Sequence, residues 1–169
     1  DTDDAEAVER QRVWIGASPI PLAMVGILIA LPGTQLERRL EREGRLIHDS
    51  GGDNFMRTNF VTILDETALL EGYARLLQEI YSPDAYYARP LRALALCPRD
   101  RSRFSMPAGY ALGCLLRSLW RQGVRSRHRG AYWRFLARAL VATPRRFPRA
   151  VGLAINAEHM VRYTEDEVL

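Results

Sequence analysis

The chain has 169 residues, of which 47% are hydrophobic, and a formal net charge of +4; all 24 of its basic residues are arginine. This length allows one domain, or part of one and a small second domain, and the apolar content is enough for a buried core. No apolar run reaches the ~18–20 residues that span a bilayer, which excludes a membrane-spanning helix. Two cysteines form no disulfide framework, which excludes a disulfide-stabilised fold. The composition therefore indicates a folded, cytoplasmic protein.

A helix, a strand and a second helix are predicted first. Aspartates that can cap a helix open the segment Asp4–Ala17. An almost unbroken apolar run then predicts a strand over Ala23–Leu31, buried on both faces. A T-x-x-E capping box beginning at Thr34 predicts the helix Gln35–Glu43, and Gly44 supplies the left-handed residue that ends it. The passage therefore indicates one βα unit of a parallel α/β layer.

A long polar connection follows, from Ile47 to Leu64. Connections of this length inside a domain are usually functional or disordered. Polar side chains on such a loop often meet substrate, so Asn54 and Asn59 are candidates for a substrate-facing loop. The alternative, that both asparagines only form turns, stays open.

The rest of the chain has a helical pattern. Asp65 can cap the first helix, and the pairs Ser82-Pro83 and Thr143-Pro144 each place a cap before a proline at the first helical position. Pro90 should kink or divide its helix. The predicted helices run from Asp65 to Ile80, Ser82 to Leu94, Ala108 to Gln122, Tyr132 to Ala142, and Thr143 to Arg162. The chain thus divides near residue 64, into parts 1–64 and 65–169.

The basic charge is concentrated in the helical part. The stretch from Arg99 to Arg149 contains 13 arginines and one acidic residue. It favours an anionic partner. The candidates are nucleic acid, an anionic membrane surface and an acidic domain of the same protein, and the acidic domain is the simplest explanation. The aromatic residues among these arginines fit either a basic helical binding module or the helix core: Trp120, Tyr132, Trp133 and Phe135.

Several short motifs carry a resemblance to a known family. The segment ALPGTQL, Ala30 to Leu36, resembles the sixth βα unit of radical S-adenosylmethionine enzymes, in the subgroup with an upstream cobalamin-binding (B12-binding) domain. The further motifs, in the family's order, are Asp1-Thr2-Asp3-Asp4, Gly52-Asp53-Asn54, Thr58-Asn59-Phe60-Val61, Glu71-Gly72-Tyr73, Ile80-Tyr81-Ser82-Pro83 with Tyr86-Tyr87, and Ala154-Ile155-Asn156. Their order and spacing cover nearly the whole chain.

The resemblance implies a mainly α fold. Residues 1–64 would contribute one or two strands and the long loop at the end of a partial α/β radical S-adenosylmethionine barrel, and residues 65–169 an all-α helical bundle that braces the barrel or covers the substrate. The function implied is that of the C-terminal fragment of a cobalamin-dependent radical enzyme, with methyl transfer to an unactivated carbon as one outcome and a lipid-like molecule as one substrate class.

The resemblance also implies cofactors and partners. S-adenosylmethionine, a 4Fe–4S cluster and cobalamin would serve the parent enzyme, with Ala30, Leu31 and Pro32 flanking the adenine of S-adenosylmethionine. The partners would be the upstream radical and B12-binding domains and a small-molecule or lipid substrate. Peripheral contact with a membrane is compatible with this interpretation, and nucleic acid is disfavoured.

The metal-binding residues of that family are missing from the chain. Its cluster needs a Cys-x3-Cys-x2-Cys loop, whereas Cys97 and Cys114 are sixteen residues apart and cannot hold a cluster. The three histidines, His48, His128 and His159, have no ligand spacing. We therefore expect the cluster and cobalamin sites outside this chain, no metal site within it, no activity from the chain alone, and no nameable catalytic residue.

Overall fold

A computed structural model describes residue 4 and residues 6–47, 57–96 and 107–167 of the chain. The helical elements are α1 (Ala7–Ala17), α2 (Gln35–Arg42), α3 (Glu66–Tyr81), α4 (Pro83–Leu96), α5 (Ala108–Ser118), a π-helix (Leu119–Arg125), α6 (Arg129–Ala142), a 3₁₀ turn (Pro144–Arg146) and α7 (Phe147–Glu167). The chain forms two compact units: unit 1 contains Asp1–Val13 and Met24–Leu77, and unit 2 contains Trp14–Ala23 and Gln78–Leu169. No helix of the described residues has the length and hydropathy of a membrane span.

The predicted strand over Ala23–Leu31 is wrong, and with it the partial α/β barrel. Residues 22–31 form neither helix nor strand. Leu46 forms an isolated antiparallel bridge with Phe60, and residues 22–31 take part in no bridge. Met24 is 80% exposed and Leu28 is 49% exposed, so the apolar run is not buried on both faces.

Side chains take the place of a neighbouring strand along this run. The Tyr73 hydroxyl donates to the Val25 carbonyl at 3.2 Å, and the Asn59 amide bonds the backbone of Ala30. A strand depends on backbone hydrogen bonds to a second strand, and the described residues supply no second strand here. The apolar pattern predicted an extended segment, but nothing in it could specify how that segment would be hydrogen-bonded.

The helix after this run forms as the capping box predicts. The Glu37 N–H donates to Thr34 Oγ1 at 3.2 Å, which confirms the cap. The Glu37 carboxylate accepts from the Gly33 N–H at 2.6 Å, one residue before the position a standard box would use. Gly44 has φ 67°, so the left-handed ending of α2 is also confirmed. The helix buries Leu40 in a small cluster of unit 1 that contains Ala30 and Phe60, with Leu36 and Leu46 packed against it.

Unit 2 is a bundle of α4, α5, α6 and α7, in which α4 packs against α6 and α7. Tyr87 on α4 stacks on Phe135 of α6 with ring centroids 4.7 Å apart. Tyr86 is buried, and its hydroxyl donates to the Leu153 carbonyl at 3.0 Å. Small residues at three- or four-residue spacing line the buried face of α7 and permit close packing: Ala150, Ala154 and Ala157.

Helix α4 contains two residues whose setting the sequence did not predict. Pro90, predicted to kink or divide its helix, lies buried within α4; the helix continues from Pro83 to Leu96, so it is not divided there. Arg89 is buried beside it, donates from Nη1 to the Ile80 carbonyl at 2.7 Å, and lies over the ring of Tyr81. Burial lowers the pKa of Arg89 and raises that of Tyr86 to about 12.

Two helix boundaries differ from their predictions. The helix expected to end at Gln122 is α-helical only to Ser118 and then continues as the π-helix. The Thr143 hydroxyl donates to the Ala139 carbonyl of the preceding helix at 3.1 Å and does not cap the next one. Pro144–Arg146 forms a 3₁₀ turn, and α7 begins at Phe147.

Candidate functional site

Two cavities in unit 2, of about 320 and 560 Å³, share four lining residues and form one groove along α5, the π-helix and α7. The shared residues are Arg121, Gln122, Glu158 and Arg162. The smaller cavity extends to the start of α4 and α6, and the larger one extends along α5 to Cys114. We refer to the two cavities together as the groove.

The π-helix gives the groove its wall. A π-helical turn is wider than an α-helical turn and occurs frequently at functional sites. Here it is fastened by Trp133, whose Nε1 donates to the Gly123 carbonyl at 3.0 Å. A Cβ atom on Gly123 would lie 2.9 Å from the Trp133 ring, so only glycine leaves room for the indole at this position. The sequence placed Gly123 just after a helix end and so missed this contact.

We expect Gly123→Ala to destabilise unit 2, because the added methyl group displaces the Trp133 indole and breaks its hydrogen bond. The expected loss in the free energy of unfolding is about 1–3 kcal/mol. Gly113→Ala is the matched control: Gly113 lies in α5 with open space around its Cα, so alanine should stabilise the chain by about 0.5–1 kcal/mol. Urea unfolding of both variants measures the difference, and equal midpoints would contradict this assignment of Gly123.

Gln122 is the buried polar group of the groove. It is only 5% exposed, and it lines both cavities. Among the described residues, none donates a hydrogen bond to its Oε1 atom. A buried acceptor without a donor costs free energy, so this amide oxygen is suited to accept a hydrogen bond from a hydroxyl or amine group of a ligand.

The charged side chains of the groove are mainly basic. Five arginines and two glutamates line its two cavities: Arg117, Arg121, Arg125, Arg127 and Arg162, with Glu158 and Glu165. Glu165 Oε1 lies 2.9 Å from His128 Nε2, which ties the end of α7 to the residue before α6. Guanidinium groups bind phosphate and carboxylate in a bidentate manner, so the basic wall favours a ligand with an anionic group.

The inner wall of the smaller cavity is aromatic and uncharged. Tyr132 is buried and lies 2.9 Å from the Ser118 hydroxyl, oxygen to oxygen. Burial raises the pKa of Tyr132, and burial together with the neighbouring Tyr132 raises that of Tyr87. Both phenols therefore stay neutral at physiological pH. In the described part of the chain, no group of three or more His, Cys, Asp or Glu side chains could hold a metal ion.

The residues predicted from sequence lie elsewhere, in unit 1. Ala30 is 2% exposed; its N–H donates to Asn59 Oδ1 at 2.8 Å, and its carbonyl accepts from Asn59 Nδ2 at 2.9 Å. Leu31 and Pro32, which follow directly, are exposed. Asn54 lies outside the described residues. The structure thus brings Asn59 to Ala30, a pairing that no sequence signal predicted, and it leaves the adenine and substrate roles of these residues as predictions.

Comparison with known proteins gives similarity across most of the chain. A family model described as a domain of unknown function (DUF4070) matches residues 34–168. The chain is 31% identical over 150 residues, 86% of its length, to a protein of Synechocystis sp. named uncharacterized methyltransferase sll1242. It is 27% identical over 175 aligned positions, 98% of its length, to the hopanoid C-2 methylase of Rhodopseudomonas palustris.

The similarity covers only part of these relatives. The chain spans 28% of the Synechocystis protein and 32% of the Rhodopseudomonas protein. No solved structure matches the chain. Because the family model covers most of the chain, including the π-helix and all of the groove, the chain belongs to the family described as a domain of unknown function (DUF4070).

Proposed function

We propose that this chain is the helical C-terminal region of a cobalamin-dependent radical S-adenosylmethionine methylase, and that its groove binds the polar end of the substrate. The observation that carries the proposal is the alignment of 98% of the chain with a protein named as a methylase. The order of the short motifs, from Ala30 to Asn156, supports the radical-enzyme class. The groove adds a site with the size and polar groups for a small organic ligand.

The residues of this chain do not fit the cluster that such an enzyme uses. A 4Fe–4S cluster is held by three or four thiolates, and the chain has two cysteines, of which Cys114 is half-buried and Cys97 lies outside the described residues. In the proposed enzyme, other parts of the protein would hold the cluster and the cobalamin. This chain would contribute substrate contacts and support.

The proposed contact with S-adenosylmethionine lies in unit 1. Leu31 and Pro32 present exposed apolar surface on which an adenine ring can pack. The paired hydrogen bonds between Asn59 and Ala30 fix the backbone directly before them. We assign Asn59 a positioning role at this point, and Asn54 remains a proposed member of the substrate-facing loop.

The proposal is tested on the full-length protein, purified without oxygen and reconstituted with iron, sulfide and cobalamin. Bound cobalamin, an iron–sulfur absorption band and conversion of S-adenosylmethionine to 5′-deoxyadenosine under reduction are the expected results. A full-length protein that binds neither cofactor and leaves S-adenosylmethionine intact would contradict the radical-enzyme class. Hopanoid lipid, the substrate class in the relative's name, is the first substrate to test.

Gln122→Leu should separate ligand binding from stability. Leucine removes a buried acceptor that has no donor among the described residues, so the free energy of unfolding should rise by about 1 kcal/mol. Loss of the ligand's hydrogen bond should at the same time lower methyl transfer by the full-length enzyme. Gln78→Leu is the matched control, because Gln78 is exposed on α3 and should change neither quantity appreciably. A Gln122 variant as active as the wild type would show that this amide does not serve the ligand, and a less stable variant would contradict the assignment of Gln122 Oε1 as an acceptor without a donor.

A further inference from the structure

The helix that walls the groove carries an unusual outer face. Leu112, Leu116, Trp120 and Val124 are 56%, 57%, 59% and 51% exposed, respectively. They recur every four residues along α5 and the π-helix, so they lie on one side of the helix. A helix of this kind ordinarily turns its apolar side inward, whereas here Ser118, Gln122 and Gly123 are the buried residues. We call these four exposed side chains the apolar stripe.

A row of arginines accompanies the apolar stripe. Arg117, Arg121 and Arg125 each follow a stripe residue by one position, and all three are exposed. The sequence contains no acidic residue between Asp100 and Glu158, so no carboxylate from this segment offsets their charge. The face therefore combines exposed leucine, tryptophan and valine with a flank of arginines.

We propose that this face of unit 2 docks on the surface of an anionic phospholipid membrane. An interfacial helix of this type buries its apolar side chains at the boundary of headgroups and acyl chains, while its arginines stay among the phosphates. The charge complementarity of the arginine row selects an anionic surface over a neutral one. Trp120 lies at the centre of the apolar stripe, where an amphipathic ring favours the membrane interface.

Docking of this face would bring the groove to the membrane surface. Arg117, Arg121 and Arg125 line the groove as well as flanking the apolar stripe. A groove whose wall touches the membrane can receive an amphipathic ligand directly from the lipid layer. The docking itself is independent of the methylase assignment, because it depends only on exposure and charge.

Vesicle flotation of the full-length protein tests this inference. The protein should float with vesicles of phosphatidylglycerol and phosphatidylcholine, bind phosphatidylcholine vesicles more weakly, and lose most of the difference at high salt. Trp120→Ser should weaken binding about tenfold through the apolar area it no longer buries. Trp14→Ser is the matched control: Trp14 is 63% exposed on α1 and is not part of the apolar stripe, so its loss should leave binding unchanged.

The inference is overturned if another part of the protein, or a nucleic acid, occupies this face in place of a membrane. Oxidative footprinting of the full-length protein without lipid measures the accessibility of Trp120, and a protected Trp120 would mean that another part of the protein covers it. Salt-sensitive binding to RNA, with no binding to anionic vesicles, would mean that the arginines serve nucleic acid. Equal vesicle binding by the wild type, Trp120→Ser and a second stripe variant, Leu116→Ser, with unchanged circular dichroism, would also overturn it.

Discussion

Replacing Asn59 by alanine is expected to lower the free energy of unfolding by about 2–5 kcal/mol. The Asn59 amide satisfies both backbone groups of Ala30, at 2.8 and 2.9 Å, in a buried part of unit 1. Alanine leaves an N–H and a carbonyl without partners, and each such buried group costs about 1–3 kcal/mol. Urea unfolding followed by circular dichroism measures the loss.

Two further variants show whether Asn59 acts through Ala30. Asn156→Ala changes the same residue type at an exposed position of α7 and should have almost no effect on stability. Asn59→Asp retains the acceptor for the Ala30 N–H but places a carboxylate oxygen against the Ala30 carbonyl in a buried setting, so at neutral pH it should be at least as destabilising as alanine. If Asn59→Ala were as stable as the wild type and only substrate binding weakened, the positioning role would be replaced by direct substrate contact.

Phe135→Ala should have an effect of similar size in unit 2, about 3–5 kcal/mol of the free energy of unfolding. Phe135 is 1% exposed on α6 and stacks on Tyr87 of α4 at 4.7 Å, so alanine leaves a cavity between two packed helices. The loss of apolar contact and the cavity both destabilise the bundle. Thermal unfolding of the variant gives the shift directly.

Leu140→Ala on the same helix provides the comparison. Leu140 is about half exposed, so its truncation should cost well under half as much as that of Phe135. The contrast tests the helical phase of α6, because a rotated helix would exchange the two positions. Equal destabilisation by the two variants would show that α6 does not turn Phe135 toward α4.

The features that the sequence predicted are those determined by neighbouring residues. The cap at Thr34 and the left-handed Gly44 depend on contacts within about one helical turn, and both form as predicted. The helices that became α3, α4 and α6 follow from apolar spacing in the same way. Each of these signals is local, so a single sequence contains it in full.

The features that the sequence did not predict depend on distant partners. The run over Ala23–Leu31 resembled a strand because its apolar pattern is local, but pairing requires a second segment, and here Tyr73 and Asn59 supply the hydrogen bonds instead. Asn59 and Ala30 are separated by 29 positions. Within the π-helix, Gly123 packs against Trp133, a tertiary contact that helical periodicity does not reveal.

The candidate groove illustrates the same limit. The sequence left a basic binding module in the helical part as an alternative but did not predict this groove, because Gln122 is marked only by its burial and by the lack of a donor among the described residues. Of the four aromatics that the sequence singled out, Tyr132 and Phe135 are buried, whereas Trp120 and Trp133 are exposed. The sequence alone did not distinguish the buried pair, Tyr132 and Phe135, from the exposed pair, Trp120 and Trp133.

The most direct test of the central claim is a methyl-transfer assay on the reconstituted full-length protein. The protein is supplied with S-adenosylmethionine labelled in its methyl group and with hopanoid lipid or a total lipid extract. We expect the label to enter a lipid product, and we expect Gln122→Leu to lower this transfer while the free energy of unfolding rises. A protein with all cofactors bound that transfers no label, or a Gln122 variant as active as the wild type, would contradict this expectation.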